Sequence, residues 1–437
     1  MLLVYVPRLT NRIGYTLNVL LEYLLHVEFS ITTDADYFVS CDGPKLCYAH
    51  RKAGDSLFVK SCGLLESTAI EDQAPHAFCQ DGQWMIFPVY GKDVDFGFDL
   101  LAATFFMVSR YEEYLPHRTD VHGRFESSQS VAAQAGFLQQ PVVDQWARML
   151  RLKLGERYPG LSLVNKNYCF VQTVDIDAAW CYRHKRVIRS MAGLGRDMFV
   201  RRDHSLVKQR LDVLLHRAPD PYDTFDYILD HWQNKSDTHL IFFALLSDYD
   251  HFDKPTNYLN PAMRELLQHL GDYAKVGIHP GYNSLEEPKR FDEEKARLES
   301  IMHRTVVRAR FHYLRLSLPR SYRILMHAGI KHDYTMGYPD AAGFRAGISV
   351  PYPFYDLERD EECGLTIHPF CVMDTTLGRY LLLQPAEGVA LFRRLNEAVR
   401  DVNGMFCCIF HNQNLSESEG WQGWREAYEQ MVALAMP

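Results

Sequence analysis

The stretch YCFVQTVDIDAAW, residues 168–180, decides the fold. Its first half is apolar and reads as a buried strand. The strand ends in Thr173-Val174-Asp175-Ile176-Asp177. The two aspartates are spaced i, i+2, so on an extended chain they share a face. Carboxylates side by side repel unless a proton or a cation lies between them. A divalent ion would separate them, with one Asp binding it and the other accepting a proton from the water it activates. The competing reading is a solvated loop. Val174 and Ile176 weaken it, because they alternate with the acids as strand residues do.

Beyond this stretch, strands alternate with helices. Helical spacing is expected over residues 206–216, 222–233, 261–270, 285–303, 321–328, 387–401 and 423–436. Strand-type runs fall at 239–245, 274–279, 308–314, 343–350, 365–369 and 405–410. Repeated β-α units predict parallel strands covered by helices, as an open sheet or a barrel. Chemistry then collects at the C-terminal strand ends. Those ends carry His279, His312 with Arg315, and His411 with Asn412 and Gln413. One such histidine is usually structural. Two carboxylates and three histidines on separate strand ends read as a functional set.

Upstream the pattern differs. Strand-type runs are expected at 2–6, 37–40, 46–50, 57–60 and 84–90, with a helical stretch at 13–25. Leu100, Leu101, Thr104, Phe105, Val108 and Tyr111 recur at helical spacing and predict one helix over 99–114. A second is expected at 142–154, followed by a linker at 155–166. The expected organisation is an α+β N-terminal domain, 1–160, and an α/β domain, 161–437.

The whole chain has 437 residues, 47% hydrophobic and 23% charged, which fits a globular protein and excludes a collagen-like or disordered one. A net charge of −8 offers no basic field for nucleic acid. Ten cysteines without a C-x-x-C pair exclude a zinc ribbon and suit a reducing cytoplasm. No leader pattern and no membrane-spanning run is read in the sequence. The expectation is a soluble, cytoplasmic protein. Nine Lys or Arg lie between Arg183 and Arg210. They suit an anionic glycan or a nucleotide-sugar phosphate, though a charged surface face is the commoner outcome. Glu112, Glu113, His117, Asp120, His122 and Arg124 form a polar cluster that suits a domain contact, a cleft wall or a solvated loop. Aromatics make up 13% of the chain. Trp180, Tyr182, Tyr282, Tyr313, Tyr334, Tyr338, Tyr352, Phe354 and Tyr355 lie beside the strand ends, where a few are expected to stack on sugar rings.

These residues carry a family likeness. FVQTVDIDAAW resembles the first motif of the NodB-like polysaccharide deacetylases (carbohydrate esterase family four), in the variant with one residue between the aspartates. VGIHPGYNS is similar to the second, His-containing metal motif, and CIFHNQNLS to the last. The similarity spans roughly residues 166–437. The N-terminal third resembles the accessory region preceding such domains in Bacteroidetes proteins. The resemblance implies a distorted (β/α) barrel and a divalent metal ion, zinc first. It also implies removal of an acetyl or acyl group from an N-acylated sugar or glycan. Asp175 would be the general base, Asp177 and His279 metal ligands, and His411 the acid that protonates the leaving amine.

Two departures follow. The family's second metal histidine falls at Asn283, so Asn283, His312 or water would complete the shell. An arginine should orient the base. Arg345 in GFRAG matches by residue type and is favoured, while RFHYLR with Arg315 matches by chain order. Asp333 is assigned to the polar network behind the site. The alternatives are a degenerate domain that binds glycan without catalysis and an amidohydrolase acting on a small non-sugar amide. The substrate and the oligomeric state stay open.

Overall fold

The computed structural model describes residues 1–164, 167–185, 187–232 and 235–437. Asn165 and Lys166 of the expected linker, Arg186 of the basic stretch and Gln233 of an expected helix lie outside the described residues.

Strands β1 (Leu2–Tyr5), β2 (Phe29–Thr32), β3 (Lys45–Ala49) and β4 (Leu57–Lys60) form a parallel sheet in the order β2-β1-β3-β4. An antiparallel pair follows, β5 (Ala77–Gln80) and β6 (Gln83–Ile86), shorter than the run expected at 84–90. The expected strand at 37–40 is instead helix Ala35–Ser40. Its cap explains the difference: Asp34 accepts hydrogen bonds from the Asp36 and Tyr37 amides. The helix expected over 99–114 runs only over Leu100–Val108 and is buried on every side. Arg110, left-handed at φ 55°, ends it, and Tyr111–Tyr114 continue as a 3-10 turn.

The second sheet holds β7 (Cys169–Ile176), β8 (Thr238–Leu245), β9 (Lys275–His279), β10 (Arg308–Ala309), β11 (His332–Asp333), β12 (Tyr352–Asp356), β13 (Glu361–Ile367), β14 (Val372–Met373) and β15 (Met405–His411). Their order is β12-β13-β11-β10-β9-β8-β7-β15-β14. Within this ladder β12 runs antiparallel to β13, and the other pairings are parallel. The chain is thus mixed α/β. Among the described residues the strand ladder has two edges, β12 and β14, so it does not close by strand pairing.

Period-two alternation sorts each strand into two faces. Phe170, Val174 and Ile176 of β7, Leu240 and Phe242 of β8, and Phe406, Cys408 and Phe410 of β15 join the large core beneath the helices. Val171, Ile241, Phe243, Cys407 and Ile409 form a separate inner cluster with Leu314, Tyr334, Phe370 and Met373. Backbone bonds tie the segment after β11 to the residues before β14. The Phe370 amide donates to Met336 and the Gly343 amide to Cys371.

Two further strand expectations fall short. Residues 343–350 are buried coil. Residues 308–314 hold only the two-residue β10, because Tyr313 (φ 59°) and Leu314 (φ 52°) turn left-handed. Helix Val142–Arg157 runs into the expected linker. The large core runs without a break from Leu2 to Ala435, across residue 160. No helix among the described residues is long and apolar enough to cross a membrane.

Candidate active site

Strand parity builds the site. On β7 the odd positions face the inner cluster, so Asp175 points inward and Asp177 follows two residues on. His411 at the end of β15 pairs in register with Asp175, and His279 at the end of β9 with Leu245 of β8. His312 lies three residues past β10, just before the left-handed turn.

Each histidine is oriented in the same way. Nδ1–H of His279 donates to the Arg310 carbonyl at 2.6 Å. Nδ1–H of His312 donates to Asp253 at 2.7 Å, and Nδ1–H of His411 to Asp374 at 2.7 Å. All three Nε2 atoms then aim at the aspartates. His279 and His312 approach Asp177 Oδ1 at 3.4 and 3.7 Å. His411 lies 4.0 Å from Asp175 Oδ2 and 3.9 Å from Asp177 Oδ2. A partner on the far ring nitrogen is the usual device for fixing a ligand or catalytic histidine.

The electrostatics follow from this crowding. Burial pushes Asp177 up, but His312, His279 and His411 outweigh it and hold the carboxyl below the usual range. Burial lowers His312, while Asp177 and Asp253 bring it above its ordinary value. Burial lowers His411 as well, and Asp374, Asp177 and Asp175 push it up to about 10.

Asp177, His279 and His312 each offer one donor atom, all within 4.8 Å of one another. Asp177 Oδ1 is buried without a hydrogen-bond partner among the described residues. One carboxylate and two imidazoles are the donors that borderline divalent ions prefer, and three protein ligands leave a position open. The residues present therefore fit a metal ion.

Two sequence expectations need correction. Asn283 is not in this group: its amide donates to Asp250 at 2.8 Å, in the acidic loop after β8. The 3-10 turn Tyr282–Leu285 carries it away, and His312 supplies the second imidazole. Arg345 does not meet Asp175. Its Nε and Nη2 bond both oxygens of Glu113, at 2.9 and 2.6 Å, while Nη1 bonds the Gly337 carbonyl. Arg315 also stays away, bonding the His122 and Tyr282 carbonyls and Glu286. The arginine on Asp175 is Arg310, fully buried, with Nη1 2.7 Å from Oδ1 and Nε on the Tyr334 carbonyl. Asp333 sits behind it, buried and bonded to Thr335 and Tyr322, with burial raising its carboxyl to about 6.

The sequence reading also missed Asp253 and Asp374. Asp253 was within reach: SDYDHFD follows β8, so the strand-end rule already pointed there. Asp374 follows a two-residue strand, too short to show any period.

A pocket of about 210 Å³ opens over these groups. Asp175, Asp177, His279, His312 and His411 line it, with Tyr313, Tyr380 and Arg124 at its wall. Arg124 comes from the N-terminal third, pairs with Asp120 and donates to the Tyr313 carbonyl and the Tyr380 hydroxyl. The N-terminal polar cluster thus splits: Glu113 serves the seam with the large sheet, and Arg124 the pocket. Of the aromatics singled out, Tyr313 lines this pocket, whereas Tyr334, Tyr338, Tyr352, Phe354 and Tyr355 are core.

Comparison with known proteins gives three results. A family profile described as "family of unknown function (DUF7033)" matches residues 2–159. No curated protein matches the chain. Among solved structures, a protein of Mycobacterium smegmatis assigned as a polysaccharide deacetylase aligns over 63% of this chain and 87% of its own, at 17% identity and TM-score 0.39. The allantoinase PuuE aligns over 62% and 83%, at 12% and 0.34. A polysaccharide deacetylase of Bacillus cereus aligns over 61% and 86%, at 11% and 0.29. Identities and TM-scores this small carry no functional weight.

Proposed function

We propose that the chain is a metal-dependent hydrolase that removes an acetyl or other acyl group from an N-acylated sugar or glycan. One observation carries the reading. At the ends of four parallel strands, an Asp–His–His donor set meets a second carboxylate held by an arginine and a third imidazole held by a carboxylate. The motif resemblance of the three strand ends supports the same reading.

Asp177, His279 and His312 would hold the ion, and zinc suits that donor set. When bound, it lowers the pKa of water and polarises the acyl carbonyl. Asp175 accepts the proton of the attacking water at Oδ2, because Arg310 occupies Oδ1. His411 carries its proton at Nε2 toward the departing amine, while Asp374 holds the imidazolium from behind. Tyr313 lines the pocket wall, where an aromatic ring suits a sugar. The non-catalytic alternative rested on Asn283, and His312 in the donor set removes that support.

We also read residues 1–160 as an accessory domain, built on the parallel sheet β2-β1-β3-β4 and therefore α/β rather than the expected α+β, and 161–437 as a distorted (β/α) barrel. The inner cluster and the Phe370 and Gly343 backbone bonds support the barrel. Ten free cysteines support a reducing, cytoplasmic setting.

The test is metal analysis of the purified protein together with acetate release from N-acetylated oligosaccharides. About one equivalent of divalent ion is expected, lost along with activity in Asp177→Ala. Unchanged metal content and activity in that variant would sink the proposal.

A further inference from the structure

The 210 Å³ pocket adjoins a larger cavity of about 570 Å³; Asp177, His312, Tyr313 and Gln413 line both. The far wall of the larger one is built by the segment after β7, including helix Val187–Gly195, turn Arg196–Val200 and helix His204–Leu214. Its charges run against the composition of the chain. In a protein of net charge −8, Lys185, Arg196, Arg201, Arg210 and Lys254 line the cavity. Outside the metal group, Asp197 and Glu419 are the carboxylates that oppose them among the described residues.

Those two acids are already engaged. Asp197 takes Nε and Nη2 of the buried Arg210 at 2.9 and 2.6 Å. Arg201 reaches Asp197 at 3.8 Å and Glu419 at 3.2 Å. Lys185 donates to the Cys181 carbonyl. Arg196 and Lys254 are exposed to the cavity and have no carboxylate partner among the described residues. A concave wall of one sign concentrates its field in the cleft. The rings of Tyr182, Tyr222 and Phe252 interleave with these cations, as surfaces that bind sugar rings do.

We propose that the substrate is an anionic glycan: the sugar beside the acylated one carries a carboxylate or sulfate that enters this cavity and meets Arg196 and Lys254. This rests on the hydrolytic reading of the adjoining site. Guanidinium pairs with planar or tetrahedral oxyanions through two parallel hydrogen bonds, and ammonium as a point charge. The cavity extends outward from the ligands Asp177 and His312, so a chain bound across both places its acyl group and its charge on the same molecule.

Binding is measured by calorimetry on the intact protein with three probes. These are a hyaluronan tetrasaccharide (carboxylate), a chondroitin sulfate tetrasaccharide (carboxylate and sulfate) and uncharged chitotetraose. At least one charged probe should bind about tenfold tighter than chitotetraose. That preference should shrink as salt is raised. It should vanish in the double variant Arg196→Glu, Lys254→Glu, whose exposed positions spare the fold. The ranking of the two charged probes identifies the anion. Equal affinity for charged and uncharged probes, no binding of either charged probe, or a preference untouched by the double variant overturns the proposal. Acetate release is read separately. Charged-probe preference without acetate release defeats the hydrolytic reading alone; acetate release without charge preference defeats the anionic subsite alone.

Discussion

Two buried arginine–carboxylate centres can be set side by side. At the seam, Arg345 grips Glu113 with two nitrogens, its third bonds a carbonyl, and Arg110 braces Glu113 from the other side. In the inner sheet mouth, Arg310 holds Asp175, but Arg310 Nη2 and the neighbouring Asp177 Oδ1 have no hydrogen-bond partner among the described residues. Both centres are buried and both pair opposite charges. They differ in that each Arg345 nitrogen has found an acceptor, whereas the inner centre keeps unused groups beside a pocket. A satisfied buried pair holds elements in place. An unsatisfied one facing a cavity is where a ligand is expected.

Exchanging one carboxylate in each centre should separate the two. Asp175→Asn keeps the shape and removes the base, so kcat per folded molecule should fall by about 10³-fold, in addition to the stability lost when the buried Arg310 is left without its counter-charge. A loss under tenfold would remove Asp175 from the chemistry. Glu113→Ala should cost stability alone. Leaving Arg345 buried without its carboxylate, and Arg110 with Glu112 alone, should cost about 3–5 kcal/mol, read by denaturant unfolding, with kcat per folded molecule preserved. A fall in kcat at full folding would mean that the seam also shapes the pocket.

Acid sharpens the contrast. Burial pushes Glu113 up, but Arg345 and Arg110 prevail and lower it to about 2 from an ordinary 4.5. Its folded pKa lies below the unfolded one, so the stabilisation is complete above about 4.5 and lost as pH falls toward 2. The stability gap between the native chain and Glu113→Gln should therefore be constant at neutral pH and narrow between roughly pH 4.5 and 2. A gap that stays flat across that interval would mean that the pair contributes nothing through ionisation.

The same two centres show how far the sequence could be read. The aspartates and the three histidines were legible because period-two parity and the strand-end rule act within a few residues. RFHYLR held Arg310 and His312 two apart, the same spacing as Asp175 and Asp177, yet the likeness of GFRAG to a motif drew the assignment to Arg345. The parity of Arg310 with His312 was the better signal, since both face the inner side. What stayed hidden was long-range. Nothing near Glu113 announces Arg345, 232 residues away. Asp374 reaches His411 from a strand of two residues, and Asp34 turns an apparent strand into a helix by capping it. Pairings of this kind are settled by packing, which local pattern does not encode.

Gly277 on β9 offers the smallest test, and it connects packing to the site. It faces the inner cluster, where a Cβ would stand 2.6 Å from the Phe243 ring and 2.9 Å from the Arg308 carbonyl. The carbonyl is backbone and cannot swing aside, so the ring must move. That ring supports the Arg310 guanidinium, whose carbon lies 4.6 Å from its centroid. Gly277→Ala should cost about 1–3 kcal/mol through overpacking. It should also lower kcat, because Arg310 shifts and Asp175 loses its orientation, while KM changes little. Phe243→Leu in the same chain relieves the ring contact, while the contact with the Arg308 carbonyl remains. If crowding is the cause, the double variant recovers stability relative to Gly277→Ala, and the two substitutions couple favourably in the cycle. Recovery of kcat along with stability would place Phe243 in the support of Arg310. Recovery of stability alone would assign the ring to packing, and would leave Arg310 positioned by its bonds to Tyr334 and Asp175.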